Sequence, residues 1–191
     1  VNKAIKRAWI DNWASKRGLH IIMIQETKVN TNAKFETEHY YWFTSTSIDI
    51  KAVDAYKKKR NEGQPTTTAE RLNIQEHIGV GFMIWKPIMD AIINITPISS
   101  RNMSIKVEGD INHNYISTNA PTADKSTKTK TDYYQELQTE YRRGLSHEYR
   151  QIGGDMNARI YQRLEGEEDI FGKHYLHKEN VNLDEIQPDL W

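Results

Sequence analysis

Short apolar runs alternate with polar stretches along this chain, a pattern that predicts a protein of mixed helices and strands. Apolar residues recur every four positions near the start, at Ile5, Trp9 and Trp13. This spacing predicts an amphipathic helix over residues 2–17 whose basic face is solvated, with a contact to nucleic acid as the alternative. The segment 19–28 that follows is a short apolar run bounded by polar residues, as in a buried strand, and we expect this strand to end at Glu26. A helix leading into such a strand is typical of a layered α/β protein.

The same patterns predict more strands and a long helix downstream. The predicted strands cover residues 39–44, 78–85, 103–107 and 114–118. The predicted helix covers 132–146, with an apolar face made of Tyr133, Leu137 and Tyr141. These aromatic residues, and those of 39–44, are interpreted as core because aromatics dominate ordinary cores, with a base-stacking platform as the alternative. The regular spacing of short strands suggests two packed sheets.

Polar segments separate these elements. Residues 47–77 are predicted to be a surface insertion with one or two exposed helices. The basic run 57–60 within it is a candidate phosphate contact, with a mobile solvated loop as the alternative. Residues 123–131 are predicted to be a polar loop. Residues 161–191 are polar and irregular, and their acidic cluster is interpreted as solvated surface.

Composition narrows the class of protein. The chain has 191 residues and 37% hydrophobic content, so we expect a single domain over 1–191 with one sizeable core. Its 26 basic and 26 acidic residues cancel, so any affinity for nucleic acid must come from a local patch. The absence of Cys excludes disulfides and thiolate metal sites, and it fits a reducing intracellular compartment, the nucleus included. No apolar run approaches the roughly 20 residues of a membrane span, so no membrane partner is predicted.

An acid and an amide lie two residues apart in the most informative stretch of the chain. Asp155 and Asn157 follow the pair Gly153-Gly154. If a strand precedes them, the glycines allow a tight turn, and both side chains leave the strand end on the same side. An Asp there can orient or deprotonate water, and an Asn can donate to a phosphate oxygen while accepting from the water. An ordinary turn is the alternative, since these are the commonest turn residues.

A second candidate, Glu26, lies at the end of the strand predicted within residues 19–28. A carboxylate at the end of a buried strand is well placed to hold a hard divalent cation such as Mg²⁺. A solvated Glu that caps the strand is the alternative. Together with Asp155 and Asn157, Glu26 makes a plausible constellation for a metal ion and a phosphate.

Five short motifs occur in an order that resembles a known family. The chain resembles the endonuclease/exonuclease/phosphatase superfamily over residues 1–160, and within it the endonuclease domain of non-LTR (LINE-type) retrotransposons. The motifs are Ile-Gln-Glu-Thr at 24–27, Gly-Val-Gly-Phe at 79–82, Ser-Arg-Asn-Met-Ser at 100–104, Ala-Pro-Thr at 120–122 and Gly-Gly-Asp-Met-Asn-Ala at 153–158.

This resemblance implies a fold and an activity. The implied fold is a four-layer α/β sandwich, in which two mixed sheets pack face to face between outer helices. The implied activity is Mg²⁺-dependent nicking of DNA, with Mn²⁺ as an alternative cofactor and DNA as the partner. Glu26 would hold the metal, and Asp155 and Asn157 would be catalytic, arranging water for in-line attack. Arg101 and Asn119 would contact the substrate, with a surface ion pair as the alternative for Arg101.

Departures from the family pattern bear on the activity. Asn119 stands where the family generally has a Tyr before Ala-Pro, and its side chain is shorter and lacks the acidity of a phenol. The family's upstream strand with an Asn and its downstream Asp and Ser-Asp-His have no counterpart, so we expect a chain truncated at both ends. An inactive remnant that at most binds nucleic acid is one alternative. A phosphatase or a sphingomyelinase-type member of the superfamily is another.

Overall fold

The computed structural model describes residues 4–29, 32–45, 50–67, 79–158 and 165–166. Contacts divide the chain into two units, residues 1–157 and 158–191. All helices and strands described below belong to the first unit. The predictions for 161–191 lie outside the described residues, apart from 165–166.

The described residues form three α-helices, one 3-10 helix and eight strands. The α-helices are α1 (Ala4–Ser15), α2 (Ile50–Asn61) and α3 (Thr127–Arg143), and the 3-10 helix covers Lys86–Ala91. The strands are β1 (Ile21–Ile24), β2 (Ala33–Glu36), β3 (Tyr40–Ser45), β4 (Val80–Trp85), β5 (Ile92–Pro97), β6 (Asn102–Val107), β7 (His113–Asn119) and β8 (Tyr149–Asp155).

The strands form two four-stranded sheets. The first sheet has the order β1-β4-β3-β2 and is antiparallel throughout. The second has the order β5-β6-β7-β8, and it is mixed because β7 and β8 run parallel while the other pairs are antiparallel. The predicted α/β class with two packed sheets is confirmed.

Three apolar clusters hold the layers together. Between the sheets, Val80, Phe82 and Ile84 of β4 pack with Met103 and Ile105 of β6, and all five are buried. Outside the first sheet, Ala14 of α1 packs against Tyr40, Trp42 and Met83. Outside the second, Ile116 and Ala120 pack with Tyr133 and Leu137 of α3. The order α1, first sheet, second sheet, α3 gives the four predicted layers.

Helix α1 forms where the spacing predicts it, but its apolar stripe does not face the sheet. Ile5 is 83% exposed and Trp9 is 67% exposed, whereas Asp11 and Ala14 are buried. The carboxylate of Asp11 accepts hydrogen bonds from the Thr37 hydroxyl and from the backbone N–H of His39, and it meets Nδ1 of His39 at 2.6 Å. These contacts hold the Asp11 face of the helix against the sheet, and the stripe is left outside.

Helix α3 begins five residues before the predicted start. The hydroxyl of Ser126 accepts a hydrogen bond from the backbone N–H of Thr129 at 3.2 Å and caps the helix. The predicted loop 123–131 is therefore wrong from residue 127 onwards, because threonines and lysines without apolar periodicity concealed the first turn. No helix in the described ranges combines the length and apolarity that crossing a bilayer requires.

Candidate functional site

The ends of β1, β7 and β8 meet at one end of the sandwich. Ser117 of β7 donates a hydrogen bond to the carbonyl oxygen of Ile24, the last residue of β1, at 3.3 Å. The side chain of Gln25 donates in return to the Ser117 hydroxyl, also at 3.3 Å. Since Glu26 follows Gln25 directly, this pair of hydrogen bonds joins the loop that carries Glu26 to the second sheet.

Strand β8 reaches the same place through its pairing with β7. The parallel register places Asn119 opposite Asp155. The backbone N–H of Ala120 donates to the carbonyl oxygen of Asp155 at 2.8 Å, which extends the ladder one residue past β7. The structure therefore brings Asn119, Asp155 and the start of the next turn together.

A tight turn joins Asp155 to Asn157. The backbone N–H of Asn157 donates to Oδ1 of Asp155 at 2.8 Å, and Asn157 has a φ of 47°. The side-chain nitrogen of Asn157 donates to the carbonyl oxygen of Ala120 at 2.6 Å and to Oδ1 of Asn119 at 3.2 Å. The turn is thus anchored on β7 through its side chain, as well as within itself.

The loop after β1 carries backbone strain. Glu26 has a φ of 50° and Lys28 a φ of 53°, and between them Thr27 is buried and donates its backbone N–H to the carbonyl oxygen of Gly79 at 2.9 Å. The side chains of Glu26 and Lys28 approach to 3.9 Å and are both about two-thirds exposed, at 66% and 67%. The carboxylate of Glu26 is therefore exposed to solvent, on a loop whose backbone is anchored by the hydrogen bond from Thr27 to Gly79.

Left-handed backbone among non-glycine residues is confined to this end of the molecule in the part of the chain that the structure describes. The three such residues are Glu26, Lys28 and Asn157. Asn adopts this conformation readily, but Glu and Lys do so rarely, and each such residue costs about 1–3 kcal/mol. Strain of this kind accumulates where a site requires a side chain in one orientation.

Arg101 and Asn119 are held together at the back of the site. Asn119 donates its backbone N–H to the carbonyl oxygen of Arg101 at 2.9 Å, and the guanidinium of Arg101 donates to the carbonyl oxygen of Asn119 at 3.1 Å. Asn119 is only 3% exposed. The structure therefore places Asn119 beside Asp155 and Asn157 and largely covers it, whereas Arg101 is bonded to Asn119.

A polar network from α3 supports the end of β7. The hydroxyl of Thr118 donates to Oδ1 of Asn102 and meets the hydroxyl of Tyr133 at 2.7 Å. Burial raises the pKa of Tyr133 and outweighs the hydrogen bond with Thr118, which lowers it. Asn102 donates to the carboxylate of Glu136 at 2.6 Å. The sequence analysis did not predict this polar network, although the motif at 100–104 contains Asn102.

The oxygen donors at the site fit a hydrated Mg²⁺ ion. Glu26 and Asp155 supply carboxylates, and Mg²⁺ commonly takes one or two of these while it keeps waters and binds substrate phosphate. Among the described residues, no three His, Cys, Asp or Glu side chains stand together as a metal cage would require.

The candidate basic run 57–60 lies at the end of α2. Lys58, Lys59 and Arg60 occupy the last turn of that helix, where positive charge complements the helix dipole. Its contact with phosphate stays a prediction.

Comparison with known proteins does not assign the chain to a family. No family model matches it, and no curated protein gives a significant match. The resemblance carried by the five motifs therefore stays a prediction.

Proposed function

We propose that this chain hydrolyses a phosphodiester bond in DNA in an Mg²⁺-dependent reaction, as a nicking endonuclease of the retrotransposon type. The observation that supports this most is that the residue before Glu26 is hydrogen-bonded to β7, the strand that pairs with β8 and its end at Asp155, although about 130 residues separate Glu26 from Asp155 in sequence. Glu26 and Asn157 also have left-handed backbone. Motif residues far apart in sequence are expected to converge in this way if they serve one reaction.

Each residue has a role that follows from its position. Asp155 would accept a hydrogen bond from the attacking water and then take its proton. The turn to Asn157 orients the carboxylate of Asp155, because a backbone N–H donates to one of its oxygens. Glu26 presents a carboxylate on a strained, solvent-facing loop, where it would hold the cation. A bound divalent cation would neutralise charge on the phosphoryl oxygens and on the leaving oxygen. Arg101 adds positive charge at the back of the site.

The expected rate is low for such an enzyme. The Asp-His pair that the resemblance implies has no counterpart among the sequence motifs. Positioned acid-base groups contribute roughly 100- to 10,000-fold to a rate. We therefore expect slow nicking that is best detected over long incubation with an excess of protein.

Relaxation of supercoiled plasmid tests the proposal. The purified chain is incubated with Mg²⁺ or with EDTA, beside Asp155→Ala and a matched control, Asp132→Ala, which removes an exposed aspartate from α3. We expect nicking with Mg²⁺ that is lost in EDTA and in Asp155→Ala but kept in Asp132→Ala. Nicking that persists in Asp155→Ala would refute the proposal, because it would have to arise from another site or another protein.

The main alternative is an inactive remnant that binds nucleic acid. It is favoured by Asn119, which stands where the resemblance implies a Tyr. Fluorescence anisotropy with labelled DNA would separate the two: binding without any cleavage supports the remnant. Release of phosphate from phosphoinositides, in the absence of nicking, would instead favour a phosphatase.

A further inference from the structure

We infer that Asn119 is a positioning residue, which acts by fixing the side chain of Asn157 and not by contacting substrate. This role rests on the proposed function, because it concerns the same site. It also differs from the substrate contact that the sequence resemblance implies for Asn119. The hydrogen bonds around the two amides support it.

The side-chain amide of Asn157 has two hydrogens, and both are donated in hydrogen bonds to oxygen atoms of the protein. One goes to the carbonyl oxygen of Ala120 at 2.6 Å, and the other to Oδ1 of Asn119 at 3.2 Å. A carbonyl oxygen only accepts hydrogen bonds, so Ala120 fixes which end of the Asn157 amide is the nitrogen. The side chain of Asn157 therefore has its oxygen, an acceptor, left for the reacting groups.

This assignment limits what Asn157 can bind. An acceptor needs a partner that carries hydrogen, such as the attacking water, and it repels a bare phosphate oxygen. Asp155 is also an acceptor, and it lies two residues earlier on the same turn. The turn as a whole therefore suits orientation of water, and phosphate must be held by other groups at the site.

Asn119 is itself fixed in a way that suits this task. It is 3% exposed, lies opposite Asp155 in the parallel ladder, and exchanges two hydrogen bonds with Arg101. These contacts fix the backbone of Asn119, from which Oδ1 reaches the side-chain nitrogen of Asn157 at 3.2 Å. Asn157 has a φ of 47°. The hydrogen bond from its side-chain nitrogen to Oδ1 of Asn119, here called the clasp, helps to hold that backbone conformation in place.

Three variants separate positioning from substrate binding and from simple stability. Asn119→Leu has a similar shape but no acceptor, whereas Asn119→Asp keeps an acceptor oxygen. Ile116→Val is the structural control, because Ile116 is buried on the same strand but packs towards α3. If Asn119→Leu fails to fold, Asn119→Ala takes its place, and circular dichroism establishes that each variant is folded.

The first readout needs no enzymatic activity. In ¹⁵N-edited NMR spectra, the side-chain amide of Asn157 is assigned by its loss in Asn157→Asp, and its hydrogen exchange is measured. We expect faster exchange and a shifted hydrogen in Asn119→Leu, with the wild-type signal kept in Asn119→Asp and in Ile116→Val. An unchanged Asn157 signal in Asn119→Leu would overturn the inference.

The second readout is the kinetics of plasmid nicking. We expect Asn119→Leu to lower kcat by about 10- to 100-fold with KM nearly unchanged, since a small misplacement of a reacting group can have that effect. Asn119→Asp should recover most of the loss. A raised KM with unchanged kcat would overturn positioning in favour of substrate binding. A wild-type chain that never nicks, but whose Asn157 signal moves in Asn119→Leu, would refute the proposed function and support the clasp.

Discussion

Gly154 lies directly against Thr118, so that a Cβ atom at Gly154 would overlap the carbonyl oxygen of Thr118. One residue earlier, a Cβ at Gly153 would stand 2.5 Å from Sδ of Met23 on the other sheet. The glycine pair before Asp155 thus allows two close approaches, one to the neighbouring strand and one across the sandwich. The second approach places the end of β8 against β1, the strand that leads to the loop carrying Glu26.

The two glycines should differ in their tolerance of a methyl group. Gly154→Ala meets backbone, which cannot move without disturbing the β7–β8 ladder, so we expect a loss of about 3 kcal/mol or more in the free energy of unfolding. Gly153→Ala meets the end of a flexible Met side chain, and we expect a loss of about 1 kcal/mol. Urea denaturation of both variants measures the difference. Equal losses would contradict the close approach of Gly154 to Thr118.

The tryptophans of the first two layers make a second prediction. Trp42 is 1% exposed and packs between the first sheet and α1, so Trp42→Ala should lower the free energy of unfolding by about 3–5 kcal/mol. Trp9 is 67% exposed, and Trp9→Ala should change it by no more than about 0.5 kcal/mol. The two variants are compared in urea. A large loss in Trp9→Ala would mean that the stripe of α1 is buried after all.

Acid should weaken the fold partly through Glu148. Hydrogen bonds from the Lys106 side chain and from the backbone N–H of Leu145 outweigh burial and hold the pKa of Glu148 at about 2, below its ordinary value of 4.5. A carboxylate with a lowered folded-state pKa stabilises the protein above its unfolded pKa, and this contribution is lost as the pH falls from 4.5 towards 2.

Glu148→Gln tests this dependence. The variant should be less stable than wild type at neutral pH, and the difference should shrink as the pH falls through that range, because the wild-type carboxylate becomes protonated. Urea midpoints at several pH values measure it. Glu62→Gln, which removes an exposed carboxylate after α2, is the control. A difference in urea midpoint between wild type and Glu148→Gln that does not change with pH would contradict the lowered pKa of Glu148.

Much of the fold follows from the sequence because burial and periodicity agree in most elements. Strands β1 and β4 and the stripe Tyr133, Leu137 and Tyr141 of α3 occur where predicted, although β1 ends at Ile24, two residues before the predicted end at Glu26. Helix α1 differs, because hydrogen bonds to a single buried carboxylate, Asp11, decide which face packs. No apolar pattern can reveal such a contact before its partners at residues 37 and 39 are known.

The site divides in the same way. The sequence motifs predict five site residues, and the structure brings together the strand ends that carry them. These residues are Glu26, Arg101, Asn119, Asp155 and Asn157. The positive φ of Glu26 and Lys28 has no signal in the sequence, because neither residue type favours that conformation. The clasp between the Asn119 and Asn157 amides also depends on the register of β7 with β8, which pattern alone does not determine.

We propose that Glu26 and Asp155 serve one reaction at one site. A double-mutant cycle of Mg²⁺-dependent plasmid nicking tests it with Glu26→Gln, Asp155→Asn and the double variant, beside Glu36→Gln as an exposed control. We predict that each single site variant lowers the nicking rate by roughly 100-fold or more and that the control retains activity. The rate of the double variant should be close to that of the less active single variant. Fully multiplicative losses, or full activity in either single variant, would contradict the claim.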